Sequence, residues 1–391
     1  MGNKLRAGVL GATGAAGQEF LEVLQDHPNF KVERLYASSK SAGKKLSECD
    51  VIVKLNKDIL ALVIQDGEKI NTEGIDILFS AVEMAEKEKI KEIEGKYARF
   101  IPVISVNSAW RYDELVPVII PEVNASHAEI IKLQRKAYGW KGFVSPGPNC
   151  TTVGAVVFTK CILTGFPKVK KIRIVSMQSA SGAGRKAVLA RREQVIQEAE
   201  LIQKEKGMYS PENYRDVLIK NPPAKQFQAN IITQIDGEEE KVRKEVAKLL
   251  GDYKENKIVP LNVTVNARCY RTSQERGHLV DMELTLDEKC TLLDVKNRIE
   301  NFNKSMYDKF GELPSSPRHA IKVDEDEYGP QPLLRVGLEG GMVTYIGKLE
   351  VQEENSLTVI KAAILSDNLG KGASRGAVHT AEYLLKERYL F

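Results

Sequence analysis

Through its first 150 residues the chain alternates short apolar runs with amphipathic stretches. "LRAGVLGATG" reads as a buried strand that ends in glycines. "QEFLEVLQDHP" follows with Phe20, Leu21 and Leu24 at helical spacing and Pro28 as a stop. "KVERLYAS", "IDILFSAV" and "FIPVISV" repeat the strand texture, with a charged helix in "EMAEKEKIKEIEGKYA" before the last of them. This rhythm predicts a Rossmann-type α/β unit, a parallel sheet with helices on both faces.

Beyond Cys150 the pattern lengthens. "KVKKIRIVSMQSA", "IVPLNVTVNARCYR", "HLVDMELTL" and "SLTVIKAAILSDNL" read as longer strands, alternating in places. A charged helical section, residues 187–205, leads into the polar, proline-marked "MYSPENYRDVLIKNPPAKQF", and "GAVHTAEYLLKERYLF" closes the chain as a helix. The expected organisation is a dinucleotide-binding unit over residues 1–150, completed by a C-terminal helix over 366–391. An α+β catalytic and dimerisation unit would occupy 151–365.

A length of 391 residues fits two domains better than one core. The net charge of +4 is small for that length and gives no reason to expect nucleic acid or a membrane surface as partner. No apolar run nears the roughly 20 residues of a spanning helix. The five cysteines form no C-x-x-C pair, which argues against a disulfide framework and for a reducing, cytoplasmic setting. No metal site is expected, because histidines and cysteines nowhere cluster at ligand spacing.

Candidate chemistry concentrates in two places. In "GVLGATGAAGQEF", Gly8, Gly11, Gly14 and Gly17 recur across a strand-to-helix junction. Gly11, Ala12, Thr13, Gly14, Ala15 and Gly17 would let backbone amides approach a pyrophosphate at the helix start. An NAD binder usually ends its second strand in Asp or Glu; here Ser38, Ser39, Lys40, Ser41 and Lys44 follow that strand. Hydroxyls and cations suit a 2′-phosphate, so NADP is the expected cofactor. The second place is "PGPNCTTVGA", where Cys150 sits at a punctuated turn before a helix start. A helix N-terminus would lower the thiol's pKa and offer amides to an oxyanion. Cys161, without such punctuation, reads as core, whereas His278 opens a strand directly after a glycine.

Together these segments resemble aspartate-semialdehyde dehydrogenase, in its archaeal and fungal branch. "PNCTT" is similar to the nucleophile motif, which implies Cys150 with Asn149 beside it, and "MQSASGAG" to the segment carrying Gln178. "NSAWRYD" and "EEEKVRKEVAKLLG" imply Arg111 and Lys241 for a substrate phosphate and Glu238 for an amino group. "YRTSQERGH" implies Arg271 for the α-carboxylate and His278 as acid/base. Ser181, Gly182 and Asn368, the last in "SDNLGKGASRGAV", are implied on the cofactor side. The implied reaction is NADPH-dependent reduction of aspartyl phosphate to the semialdehyde through a cysteine thioester, in lysine, threonine and methionine biosynthesis. Small-molecule substrate and phosphate would be its partners, and a homodimer or homotetramer its assembly.

Some segments depart from that pattern. "TSQERGH" is polar where the family usually carries "VPV", and "SGAGRKAV" brings Arg185 and Lys186 near the pocket. The 191–227 stretch is long, and is expected to cover the subunit interface. Malonyl-CoA reductase is the nearest rival; Asn149 and the "EEEK" helix favour an amino-acid acyl phosphate instead. A non-catalytic NADP-binding sensor would have no need of Cys150, Gln178, Arg271 and His278 together.

Overall fold

A computed structural model describes residues 4–204, 210–220 and 225–390. The first sheet is built from β1 (Leu5–Leu10), β2 (Phe30–Ala37), β3 (Ile64–Asp66), β4 (Ile77–Ser80), β5 (Val103–Ser105) and β6 (Val144–Pro146). All of its pairings are parallel, in the order β3-β2-β1-β4-β5-β6. This is the doubly wound order, whose ligand crevice lies where the chain reverses, beyond the C-terminal ends of β1 and β4. Four successive buried residues close β1, as expected for a strand covered on both faces. The C-terminal helix Arg375–Lys386 returns to this unit, burying Ala377, Val378, Ala381 and Leu384 with Phe20, Leu21, Phe79 and Ile104.

The second sheet is mixed. Its strands are β7 (Val169–Gln178), β10 (Thr264–Arg271), β11 (His278–Leu286), β12 (Ile321–Val323), β13 (Thr344–Glu354) and β14 (Leu357–Ser366), in the order β10-β7-β11-β14-β13-β12. β8 (Asp252–Lys254) and β9 (Lys257–Val259) form a separate hairpin. Helices Thr152–Leu163, Glu238–Leu249 and Leu292–Phe310 cover one face of the large sheet. β11 therefore alternates, with Val280, Met282, Leu284 and Leu286 buried under the helices. Truncating Leu284 to alanine there would cost about 2–5 kcal/mol.

The sequence suggests one continuous strand through "IVPLNVTVNARCYR", but the structure interrupts it. Pro260 has no N–H to give a ladder, so β9 stops at Val259 and β10 begins at Thr264. The charged section forms the helix Arg185–Lys204. The proline-marked stretch contains a second helix, Pro211–Lys220. Of the long 191–227 stretch, residues 205–209 and 221–224 lie outside the described residues. Among the described residues no helix is long and apolar enough to cross a membrane.

Candidate active site

Three inward-facing side chains arrive at one end of the mixed sheet by register. Arg271 pairs with Gln178 across β10 and β7, both at their C-terminal ends, while His278 opens the antiparallel β11 opposite Ser366. All three are buried, at 6%, 2% and 0% exposure respectively. The largely buried helix Thr152–Leu163 points its N-terminal end at the same place. Gly154 allows it to approach β14, because a Cβ there would stand 3.1 Å from Ile364 and Ser366 atoms. Cys150, two residues ahead of the helix, is thereby set against His278, with Sγ 3.3 Å from Nε2.

Glu238, at the start of helix Glu238–Leu249, is the hub of the remaining contacts. Its Oε1 accepts from Asn149 Nδ2 at 2.8 Å, Gln178 Nε2 at 3.2 Å and Thr151 Oγ1 at 3.4 Å. Lys241 Nζ reaches Oε2 at 3.2 Å. Burial alone pushes this carboxyl up, but the Asn149 hydrogen bond and the Lys241 charge outweigh it and hold it below the ordinary range.

Cys150 departs from expectation. It retains some solvent exposure. Yet the protein packed around its thiol, and then the negative charge of Glu238, push it up to about 11. The cations Arg111 and Arg271 act the other way and do not overcome this. The lowering expected from a helix N-terminus is thus overridden by desolvation. His278 is pushed down to about 3, by burial first and the Arg271 charge second. The resting pair is a neutral thiol beside a neutral imidazole.

Arg111 is 8% exposed and partly engaged. Its Nε donates to Gly147 O at 2.7 Å, Nη1 to Glu245 Oε1 at 3.3 Å and Nη2 to Val106 O at 3.4 Å. Of five N–H groups, two remain for an anion. Arg271 Nη1 donates to Ser179 O at 2.8 Å. Gly182 has no side chain because a Cβ would lie 2.6 Å from Arg271 Nη1 and 2.9 Å from His278 Cε1. The Asn368 carboxamide is held at both ends: Oδ1 accepts from Gly277 N at 2.8 Å and Nδ2 donates to Ser181 Oγ at 2.9 Å.

Pattern reading missed two residues. Glu245 is buried and accepts from Asn149 N at 2.7 Å as well as from Arg111, so it ties the nucleophile turn to the arginine loop. Its signal is a charge on the apolar stripe of Val242, Val246 and Leu249, seven residues after Glu238. Ser179, whose amide and hydroxyl both face His278 Nδ1 at 3.2 Å, carries no sequence signal. The departures lie outside the catalytic pair. Arg185 pairs with Asp50 at 2.6 Å, and Arg276 grips Asp367 through two bonds of 2.9 and 2.7 Å. Glu275 takes Arg192, while its backbone and that of Gln274 accept from Ser181 N and Ala180 N.

The glycine turn lies at the crevice of the parallel sheet. Gly11 has φ +80°, and a Cβ there would come within 2.4 Å of Ala81 O. A Cβ on Gly17 would stand 2.0 Å from Gly11 O, so turn and helix close only on glycine. Helix Ala15–Leu24 then begins with no side chain capping it. Ser38, Ser39, Lys40 and Lys44 are exposed just past β2, with Ser41 partly so. An anion cradle followed by hydroxyls and cations fits a phosphorylated dinucleotide. Ser374 Oγ donates to Ala16 O at 3.2 Å, linking the turn to the segment that touches Cys150.

Comparison with known proteins gives this geometry its family. The semialdehyde dehydrogenase NAD-binding domain matches residues 6–131, and the semialdehyde dehydrogenase dimerisation domain matches 160–371. The aspartate-semialdehyde dehydrogenase of Archaeoglobus fulgidus is 32% identical over 98% of both chains. The chain belongs to the aspartate-semialdehyde dehydrogenase family. The NADP-dependent malonyl CoA reductase of Metallosphaera sedula is 28% identical over 100% of this chain and 99% of that one. Among solved structures, the aspartate semialdehyde dehydrogenase of Candida albicans with NADP superposes with a TM-score of 0.77. It is 25% identical and covers 99% of this chain and 100% of its own.

Proposed function

We propose that this enzyme reduces L-aspartyl 4-phosphate to L-aspartate 4-semialdehyde with NADPH, through a thioester on Cys150. The observation that carries the reading is the 3.3 Å approach of the Cys150 thiol to the His278 imidazole, inside a ring of anion-binding groups. His278 takes the thiol proton, and sulfur attacks the acyl carbon. The carbon–oxygen bond to phosphate breaks as the carbon–sulfur bond forms, and phosphate departs toward Arg111 and Lys241. Arg271, with N–H groups beyond the one given to Ser179, suits the planar α-carboxylate. Glu238 is the carboxylate for the substrate ammonium, and Gln178 and Asn149 hold it in place. The amides of Thr151 and Thr152 at the start of helix Thr152–Leu163 already donate to Asn149 Oδ1 and Asn149 O, so they are not the oxyanion donors the sequence suggested. Bound NADPH supplies the hydride that reduces the thioester carbonyl.

The glycine turn and the Ser38–Lys44 loop support NADP. The match to a dimerisation domain supports an oligomer. A homodimer or homotetramer is proposed, in which a second copy covers the exposed Leu189, Ile196 and Ile202 of helix Arg185–Lys204. Five unpaired cysteines suit the cytoplasm proposed for it.

The test follows NADPH formation from aspartate semialdehyde and phosphate, with Cys150→Ser as control. Activity lost in the variant supports both substrate and nucleophile. Wild-type silence together with malonyl-CoA-dependent NADPH oxidation would replace the reading with acyl-CoA reduction.

A further inference from the structure

His278 faces Cys150 with Nε2 and Ser179 with Nδ1. The Ser179 N–H, 3.2 Å away, can only donate, so the neutral ring meets it with an unprotonated Nδ1 and carries its proton on Nε2. In that form Nε2–H points at sulfur and the ring cannot remove the thiol proton. The second group at Nδ1 is different. Ser179 Oγ, also at 3.2 Å, can donate or accept. It lies 3.0 Å from Ser181 Oγ and 3.3 Å from Asn368 Oδ1. Asn368 is itself immobilised by Gly277 N and Ser181 Oγ. When the Ser179 hydroxyl turns its hydrogen to Asn368 Oδ1, its lone pair faces Nδ1 and can accept Nδ1–H.

We propose that Ser179 is the positioning residue that makes His278 a base, its hydroxyl switching from donor to acceptor against Asn368 so that Nδ1 can hold a proton while Nε2 receives one from Cys150. The proton count closes. The ring first changes tautomer: Nε2–H gives its proton to water and Nδ1 takes one from water. The S–H bond then breaks, its proton forms a new Nε2–H bond, and Nδ1–H stays bonded to Ser179 Oγ, whose own hydrogen rests on Asn368 Oδ1. No other group gains or loses a proton. The titratable and charged groups facing the imidazole are the Cys150 thiol, the Arg271 guanidinium, which opposes a cationic ring, and the Glu238 carboxylate, which favours it together with a backbone hydrogen bond at Gly277. The inference rests on the reading of Cys150 and His278 as nucleophile and base.

Three measurements test it. In histidine-15N-labelled wild-type enzyme, the resting His278 signal is expected to show a neutral ring with an unprotonated Nδ1; a neutral ring protonated on Nδ1 overturns the proposal. Ser179→Ala, which removes the hydroxyl from Nδ1 and keeps the amide, is expected to lose about 10²-fold in kcat with little change in KM, within the range for impaired general-base catalysis. Its alkylation of Cys150 at pH 9 should slow in parallel. Ser179→Thr, which keeps the hydroxyl, should recover most of both. Ser179→Ala within about threefold of wild type, or a dead Ser179→Ala not rescued by threonine, overturns it. A Cys150→Ser variant that kept its activity would instead overturn the reading beneath it, so the two failures are distinct.

Discussion

Replacing Glu238 by glutamine should make Cys150 more reactive, although it removes a substrate contact. With the thiol at about 11, the thiolate fraction at pH 7 is ~10⁻⁴, against roughly 3% for an unperturbed cysteine. Wild-type Cys150 should therefore alkylate some 300-fold more slowly than a free thiol at pH 7, on thiolate fraction alone. Its rate should climb about tenfold per pH unit up to pH ~10. Glu238 contributes to this by like-charge repulsion. A nearby like charge at an effective dielectric of ~20 is worth on the order of 2–3 kcal/mol, or one to two pKa units. Glu238→Gln keeps an acceptor for Asn149 and Gln178, loses that charge, and leaves Lys241 without its carboxylate. Both changes favour the thiolate. The assay is iodoacetamide labelling followed by mass spectrometry of the Cys150 peptide from pH 6 to 10. The expected result is a curve displaced downward by one to two units, hence ~10–100-fold faster labelling at pH 8. A wild-type plateau below pH 8, or a glutamine variant no faster than wild type, would refute the electrostatic argument. If it holds, a substrate ammonium resting on Glu238 does the same work, and the thiol becomes a nucleophile only in the occupied site.

Two other outcomes follow from the cofactor loop and the buried carboxylates. Lys40→Ala and Lys44→Ala should each raise KM for NADPH about 10–150-fold, the worth of one charged hydrogen bond at ~1.5–3 kcal/mol, and leave KM for NADH nearly unchanged in steady-state assays. Glu122 and Glu382 are buried, and both are held at about 2 although burial opposes it, by Lys371 and His379 for the first and by His27 and His379 for the second. Their folded pKa values lie below the unfolded ones. The stability they contribute, at most roughly 3 kcal/mol each, is present above pH ~4.5 and lost as pH falls toward 2. Urea midpoints measured from pH 3 to 6 should drop steeply in wild type, and Glu382→Gln should flatten that limb.

The parallel sheet was legible because its strands are continuous apolar runs bounded by glycine and proline, and its crevice because four glycines straddle one junction. Cys150 and His278 stood out by punctuation: a Pro-Gly-Pro before one, a glycine before the other. Spacing alone could not bring Arg271, Gln178 and His278 together, since that depends on β10 lying parallel to β7 and β11 antiparallel to it. Nor could it reveal the sign of the Cys150 shift. The helix start is a local feature that a sequence displays, whereas desolvation and the Glu238 charge come from elements far along the chain. Ser179 is invisible for the same reason: its effect lies in facing a ring placed by another strand.

The segment from Ser366 to Ser374 joins these parts. Ser366 pairs with His278, Asp367 holds Arg276, and Asn368 fixes the serines beside the imidazole. Lys371 is buried on Glu122 at 2.7 Å, and Ser374 bonds the cofactor-side turn at Ala16. Between them Gly372 lies against the nucleophile, and a Cβ there would stand 2.8 Å from Cys150 Cβ, a contact that forces one of them to move. With both ends of the segment anchored, the smaller adjustment is displacement of Cys150 from its 3.3 Å approach to His278. A misplacement of about 1 Å at the reacting atom costs on the order of 10²-fold in rate, while overpacking one methyl group costs only ~1–3 kcal/mol of stability. Gly372→Ala should therefore fold, bind NADPH with near-normal affinity by fluorescence, and lose about 10²-fold in kcat. An active Gly372→Ala enzyme would mean that the segment yields instead of the cysteine, and that it is not a rigid tie between the cofactor crevice and the thiol.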